Sequence, residues 1–571
     1  MVKTMCDSLI HGGPDDGGVE AMGQEHVVLG NRRLALQDLS AAGHQPMHYR
    51  QRYSITYNGE LYNFPQLKLE LEKTGHYFRN HTDTEVILAA FAQWNTRAFE
   101  KFNGMFAFAL WDAEEQQLFL VRDAAGMKPL YYSTQPEGIC FASEIRAMKT
   151  LPFLKEADPE WKVHLLAYGH IPEPITTLKD VRPLPKGCFI SYNYGSSTMS
   201  LQSYKHYSYS DSVTSPAEVR RCVRELMVAS VDRHLISDAP IGVFLSGGLD
   251  SSVVAAAASA AKKSAINTFS LYFEEEEFSE KKYQDEVLKT ISCNAYQHLL
   301  TAKGFNEDIY KIIADMDMPG CDGINTWFIS KLARESGVKA VLSGIGGDEL
   351  FGGYPSFQRM NLALKLQKLP DSIKRSGKYS NIKSLRRLPY LSLPGIKGLY
   401  LFLRGYFTPV EIAKQLDATE QEIWNSLEEL PVFNKLHIQN DRNLAGWMEF
   451  NLYLQNQLLR DADVMGMAHS VEIRVPFLDD ELVGYLLRVH PDVKYGGRFK
   501  KQLLIDSFHD MIPRIVYDRP KMGFTLPFAK WLSQNKNMMS ATGNKMADRN
   551  KAAFLSGKMH WSQFLLSKLA A

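Results

Sequence analysis

The chain has 571 residues, is 45% hydrophobic and carries sixty-five basic against sixty-four acidic residues; that is enough apolar mass for roughly two or three packed domains, and a net charge of +1 is too small to draw it to nucleic acid or an anionic membrane. Its six cysteines are scattered, without a Cys-x-x-Cys pair or a His spaced to complete a zinc site, which argues against a disulfide framework and for reduced thiols. No apolar run of about eighteen residues and no charged-then-apolar leader occurs, so the expectation is a cytoplasmic protein of a reducing compartment with no membrane span.

From His11-Gly-Gly-Pro-Asp-Asp-Gly-Gly18 to about residue 150 the pattern is strand-rich. The apolar runs His26-Val-Val-Leu29, Tyr53-Ser-Ile-Thr-Tyr57 and Gln117-Leu-Phe-Leu-Val121 are separated by glycine turns and by two helices expected over 64–74 and 82–96. Thr82 followed by Glu85 has the spacing of a capping box. Together these predict an α+β layered domain. Its polar residues gather in turns: Arg33, Asn58-Gly59-Glu60 and Asp83. Turns carry function more often than core strands do, although Asn-Gly is also common turn chemistry and Asp83 could cap the helix it opens.

Prolines at Ile171-Pro-Glu-Pro and Val181-Arg-Pro-Leu-Pro-Lys-Gly187, followed by a Gly-, Ser-, Thr- and Tyr-rich stretch, place a linker at 171–215 between a domain at 1–170 and one at 216–571. A helix expected over 216–235 then leads into Ile241-Gly-Val-Phe-Leu-Ser-Gly-Gly-Leu-Asp-Ser-Ser252. The apolar run suits an interior parallel strand, Gly247 and Gly248 a tight turn, and the residues from Ser251 an Ala- and Val-rich helix. Free N–H groups and the helix dipole at such a turn favour an anion. The loop lacks the Lys that grips β- and γ-phosphates in a Gly-x-x-x-x-Gly-Lys-Ser/Thr loop. It has Asp250 instead, and a carboxylate beside a polyphosphate predicts an intervening Mg²⁺ and a reaction that moves pyrophosphate as one unit. An ordinary strand-to-helix turn with a solvated Asp is the competing reading of this loop alone.

Strands expected at 266–273 and 338–342 flank a helix at 280–291, and the alternation predicts a parallel sheet with helices on both faces. Ser343-Gly-Ile-Gly-Gly-Asp-Glu-Leu-Phe-Gly-Gly-Tyr354 leaves a strand end, where such sheets bind ligands. Two glycine-and-carboxylate loops on one sheet point to a metal–nucleotide site, with Asp250 and Asp348 as the Mg²⁺ ligands. Residues 361–430 are basic, leucine-rich and partly helical, with charges expected on a solvated face. Further on, Asp461, Asp463, Glu472 and Arg474 sit among Met and Val, so Glu472 and Arg474 are expected to pair. Lys501, at the start of an expected amphipathic helix, could offset charge on a leaving pyrophosphate or simply lie on the surface.

These pieces, in this order from His11 to about residue 533, resemble glutamine-dependent asparagine synthetase. The resemblance implies an N-terminal-nucleophile (Ntn-type) glutaminase domain joined to an α/β parallel-sheet PP-loop adenylating domain, with ammonia passing between them. It implies that Arg33, Asn58, Gly59, Glu60 and Asp83 hold glutamine, Asn58 and Gly59 forming the oxyanion hole. It also implies that Phe244, Leu271, Ser343 and Gly344 contact ATP, that residues 246–251, including Ser246, Gly247, Gly248, Asp250 and Ser251, form the pyrophosphate loop, and that Lys501 is a catalytic cation. The implied reaction converts aspartate and ATP to β-aspartyl-AMP and pyrophosphate, then to asparagine and AMP. Its partners would be small molecules, with no nucleic acid or membrane, and the resemblance allows a homodimer. Arg122-Asp-Ala-Ala-Gly-Met-Lys-Pro-Leu-Tyr-Tyr132, Ala142-Ser-Glu144 and Arg519-Pro-Lys-Met-Gly-Phe524 also resemble family stretches, without a separate chemical role.

Three departures stand out. Gly12 replaces the Arg of the family's His-Arg-Gly-Pro-Asp, and Ile345 occupies a slot that is typically Glu or Asp and is linked to forming the adenylate. The family's catalytic Cys heads a strand well before the histidine motif, whereas Cys6 lies five residues before His11 in what should be a helix. The expectation is therefore a chain lacking the glutaminase nucleophile and using free ammonia. Ile345 keeps open an amidotransferase acting on another carboxylate, such as a sugar acid or peptide. A PP-loop tRNA-modifying enzyme is disfavoured by the neutral charge and the absent Cys-x-x-Cys, and an inactive scaffold by the retention of Asp250, Asp348 and Lys501.

Overall fold

A computed structural model of the chain describes every residue except 24–25, 263, 431–437, 521, 524–525, 535–544 and 570–571. The first half contains β1 (Asp16–Met22), β2 (Val27–Arg33), β3 (Met47–Tyr49), β4 (Tyr53–Leu61), β5 (Gly104–Asp112), β6 (Gln117–Arg122), β7 (Tyr131–Gln135), β8 (Gly138–Ala142), β9 (Arg182–Pro183), β10 (Cys188–Asn193) and β11 (Thr198–Ser203). Six of them form an antiparallel sheet in the order β11-β10-β6-β5-β4-β3, β1 and β2 pair as a hairpin, and β8-β7-β9 make a small third sheet.

Strand β5 explains the layering. All nine of its residues are buried, and successive side chains point to opposite faces. Phe106, Phe108 and Leu110 join the core of the helix Asp83–Trp94, while Ala107, Ala109 and Trp111 pack with Leu29 of β2 and with Leu130 and Ile190. Thr82 caps that helix, accepting from Glu85 N at 3.3 Å. The expected capping box does not close, because the Glu85 carboxylate instead accepts from Arg79 N and Asn80 N.

The linker expected at 171–215 needs correction. Strand β10 pairs with β6 and β11 pairs with β10, so residues 188–203 are the edge of the amino-terminal sheet. All six residues of β11 are exposed, and that polarity made the hairpin look like a linker. The crossing between the two halves falls after Ser203.

In the second half β12 (Ile241–Phe244), β13 (Ile266–Phe273), β14 (Cys293–Leu300), β15 (Ala340–Leu342) and β16 (Glu472–Arg474) form a parallel sheet in the order β14-β13-β12-β15-β16. From β12 the chain builds outward through β13 and β14 on one side and through β15 and β16 on the other. The crevice between the ends of β12 and β15 is thus the switch point at which such sheets bind ligands. Between β15 and β16 the chain is mainly helical. The charges of 361–430 are not all solvated: Lys374 and Lys397 are buried and donate to carbonyls at helix ends, and Arg404 pairs with the buried Glu449 at 2.6 Å. Among the described residues no helix is long and apolar enough to cross a membrane.

Candidate active site

The loops leaving β12 and β15 face one another across a cleft of about 950 Å³. Phe244, Ser246, Gly248, Asp250, Ser251, Leu271, Ser343, Gly344, Ile345, Asp348 and Lys501 all line it. In the first loop Ser246 Oγ lies 2.9 Å from Ser251 Oγ and accepts from Gly248 N at 3.2 Å. The helix Leu249–Ala261 starts without a side-chain cap, with Asp250 in its first turn, so its N–H groups face the cleft as an anion cradle. Gly247 does not line the cleft; its φ is +85°, and its carbonyl accepts from Arg519 Nη2 at 3.0 Å.

The second loop interlocks with the first. A methyl on Gly347 would lie 2.5 Å from Asp250 Cγ, and one on Gly353 would overlap Asp348 Oδ1 and come within 2.7 Å of Lys501 Cε. Glycine at these two positions lets Asp250, Asp348 and Lys501 converge. Lys501 is 8% exposed, with φ +57°, and its ammonium is 2.5 Å from both Asp250 Oδ2 and Asp348 Oδ1. Burial alone would lower its pKa, but the two carboxylates raise it well above the ordinary lysine value. The surface fate weighed for this lysine does not apply.

Ile345 turns an apolar side chain into the cleft and packs against both neighbouring cores. Glu349, next to Asp348, is buried, accepts from Tyr354 Oη at 2.7 Å and is pushed up to about 8, by burial first and the Asp348 charge second. Arg519, which heads a family-like stretch without an assigned role, and Glu280, not among the expected site residues, also shape the cleft. Arg519 ties the Gly247 carbonyl to the buried Glu280, 2.6 Å away, and lies 3.6 Å over the Tyr283 ring. Glu280 sits beyond the carboxyl end of β13, the position from which it could have been anticipated. Lys521 and Phe524 of the Arg519 stretch lie outside the described residues.

In the first half, Arg33 donates to the carbonyls of Gln37, Asp38 and Ser40. Asn58 donates to Ser143 Oγ at 3.4 Å, and Gly59, with φ +142°, lies against the Met105 carbonyl. Asp83 accepts from Tyr57 Oη at 2.9 Å and Leu61 N at 2.8 Å, and burial pushes it up to about 6. Glu60 accepts from Gln37 and pairs with Arg474 at 3.1 Å. The structure thus brings Glu60 and Asp83 into one buried acidic cluster, with Arg33 reaching it through Gln37. Cys6 lies buried in the helix Val2–Asp7 against Gly30, and burial pushes its thiol up. His11 Nε2 is 3.0 Å from Glu144 Oε1, which ties the histidine motif to one of the stretches that had no assigned role.

The two halves share buried charge. Arg474 is 0% exposed, pairs with Glu472 at 3.0 Å as expected and reaches Glu60 as well. Lys128, also from a stretch without a role, is buried 2.9 Å from Asp463 and 3.5 Å from Glu472. Arg474 O accepts from Ser343 N at 2.8 Å, so the same strand also holds the start of the second loop.

Residues 222–560 match the family model described as asparagine synthase, and residues 1–205 match the glutamine amidotransferase domain. The chain belongs to the asparagine synthase family. It is 30% identical over 560 residues to asparagine synthetase (glutamine-hydrolyzing) 1 of Bacillus subtilis (strain 168), covering 94% of this chain and 85% of the relative. A second relative in that organism, asparagine synthetase (glutamine-hydrolyzing) 3, is 28% identical over 96% of this chain and 89% of its own. Amidase chry2 of Gibberella zeae is 25% identical over 93% and 85%. This asparagine synthase family member therefore joins a glutamine amidotransferase domain to a parallel-sheet synthase domain, as expected.

Proposed function

We propose that the chain is an ATP-dependent ligase that activates the β-carboxylate of aspartate as β-aspartyl-AMP and converts it to asparagine with free ammonia. The observation that carries this reading is Lys501 held between Asp250 and Asp348 in the wall of the cleft. Two carboxylates and one buried cation beside an uncapped helix start suit a pyrophosphate leaving group, whose charge must be offset as the bond to the α-phosphorus breaks. The donor set also fits Mg²⁺. No cluster of three or more His, Cys, Asp or Glu that could hold a metal occurs among the described residues, and Mg²⁺ is commonly held by one or two carboxylates together with substrate phosphates and water. When bound there, held by Asp250 and Asp348, it would neutralise pyrophosphate charge.

The chain's own groups divide the work. The N–H groups of 249–251 and Lys501 bind and orient the phosphates, and Phe244 and Leu271 offer apolar wall for the base. Arg519 fixes the turn by its hold on the Gly247 carbonyl. A carboxylate oxygen of the acceptor attacks the α-phosphorus and pyrophosphate leaves; ammonia then attacks the activated carbonyl, AMP departs and a proton is lost. Glu349, protonated near neutral pH, keeps a proton at Oε inside this cleft. Cys6, a buried helical thiol with a raised pKa, is a poor nucleophile, which supports ammonia over glutamine hydrolysis that depends on Cys6; Arg33, Asn58, Gly59, Glu60 and Asp83 remain the proposed glutamine contacts. Ile345 supports a second reading, the same chemistry on another carboxylate.

The test is pyrophosphate release with ATP and Mg²⁺ across candidate carboxylates, with ammonium or glutamine. Release and product formation with aspartate and ammonium, and almost none with glutamine, are expected. Turnover with glutamine that Cys6→Ala abolishes would overturn the nitrogen assignment, and preference for another acid would replace aspartate.

A further inference from the structure

A second cavity, of about 160 Å³, lies where the amino-terminal domain, the crossing segment 204–215 and the helices around Phe450 and Leu486 meet. Two lysines define it. Lys494 is 1% exposed, donates to Leu486 O at 3.1 Å, and its ammonium stands 5.0 Å and 4.8 Å from the ring centres of Tyr209 and Tyr495. Lys186 Nζ is shielded from solvent, has no hydrogen-bond partner among the described residues, and lies 4.5 Å from the Phe450 ring centre.

Neither lysine has an ion-pair partner among the described residues, and the acids around them are engaged elsewhere. Lys205, also in the wall, takes Asp480 at 2.5 Å; Glu173 is held by Arg122 at 2.8 Å; Asp123 accepts from the N–H groups of Ala125, Met127 and Lys128; and Asp211 accepts from Asn443 at 2.8 Å. The acid in the wall is Glu349, which accepts from Tyr354 Oη at 2.7 Å. Burial pushes both Lys186 and Lys494 down to about 7. A buried ammonium without a counter-charge is costly, and an aromatic face offsets only part of that cost.

We propose that this cavity is a binding site for a small oxyanion, held between the ammonium groups of Lys186 and Lys494. An anion there would complete both charges. It would also act at a distance, because Glu349 lines this cavity and the nucleotide cleft alike and adjoins Asp348. The site stands independently of the adenylation reading, since neither lysine lines that cleft.

Thermal melting of the full chain at pH 7 tests it, with inorganic phosphate titrated against sodium chloride of matched ionic strength and acetate as a second arm. The wild-type midpoint is expected to rise saturably, by at least about 1 °C, with phosphate or with acetate, and the more effective of the two names the oxyanion class. Lys186→Met and Lys494→Met should each fold and each abolish the rise, because each removes one of the two ammonium groups that hold the anion. Lys501→Met should retain it. Loss of the rise in Lys501→Met with retention in both cavity variants would place the anion in the nucleotide cleft and overturn the proposal. So would a wild type that responds to neither anion.

Discussion

Gly353→Ala tests the interlocked loops with a single methyl. Gly353 does not have a positive φ, so alanine fits its backbone, and the effect of the change falls on what the methyl meets. It would overlap Asp348 Oδ1 and stand 2.7 Å from both Asp348 Cγ and Lys501 Cε, where ordinary carbon contacts are about 3.5–4.0 Å. The carboxylate and the ammonium must each retreat by about 1 Å. A displacement of that size at a reacting centre costs about a hundredfold in rate, or about 2.7 kcal/mol of transition-state stabilisation. Aspartate-dependent pyrophosphate release should fall by that factor while the denaturation midpoint stays within the range of ordinary surface variants. Gly484→Ala is the control: it lies within the helix Asp480–Leu486, a methyl there meets nothing within 4 Å, and it should leave activity intact while stabilising by about 0.5–1 kcal/mol. If Gly353→Ala retains wild-type turnover, the convergence of Asp348 and Lys501 is not what supports catalysis.

Ile345→Glu restores an acid at the cleft wall and should raise aspartate-dependent pyrophosphate release; no gain with aspartate, together with a wild-type preference for another acid, transfers the assignment to that acid. Arg474→Met leaves Glu60 and Glu472 buried without their shared cation and should destabilise by about 3–5 kcal/mol, read as a lowered urea midpoint; an unchanged midpoint would show that the buried network contributes nothing. Asp83 is held up at about 6 by burial, above an unfolded value of about 3.9. The folded state therefore holds this proton more tightly, and the unfavourable contribution of the charged form grows as pH rises from about 4 to about 6, then stays constant. Asp83→Asn should remove that loss, so the variant's stability relative to wild type increases between pH 4 and pH 6.5; the same difference at both pH values would contradict the assignment.

The parts of the fold and site that were legible in the sequence are those with a local signature. Apolar run, double glycine and Asp250 mark β12 and its loop because each residue type answers a backbone or charge requirement within a few positions. The pattern of β13 matched its observed bounds, Ile266–Phe273, because both of its faces are largely buried and most of its residues are β-branched or aromatic. Strand β16 has three residues and depends wholly on pairing with β15, so nothing local announces it; β14 is polar and half exposed at a sheet edge. The convergence on Lys501 was half legible, since its charge suggested a role but its burial depends on loops some 150 and 250 positions away. Lys128 and Arg474 joined the two halves unannounced, because ion pairs across a domain boundary leave no spacing rule. Polarity misled at β11, where an exposed edge strand has the composition of a linker.

The central claim is that the acceptor carboxylate is activated at the α-phosphorus. The most direct measurement supplies aspartate labelled with ¹⁸O in its β-carboxylate, with ATP, Mg²⁺ and ammonium, and follows the label by mass spectrometry. The account predicts one labelled oxygen in AMP, stoichiometric with asparagine, and unlabelled pyrophosphate. Label appearing in orthophosphate with ADP as co-product would contradict it, because the carboxylate would then have attacked the γ-phosphorus.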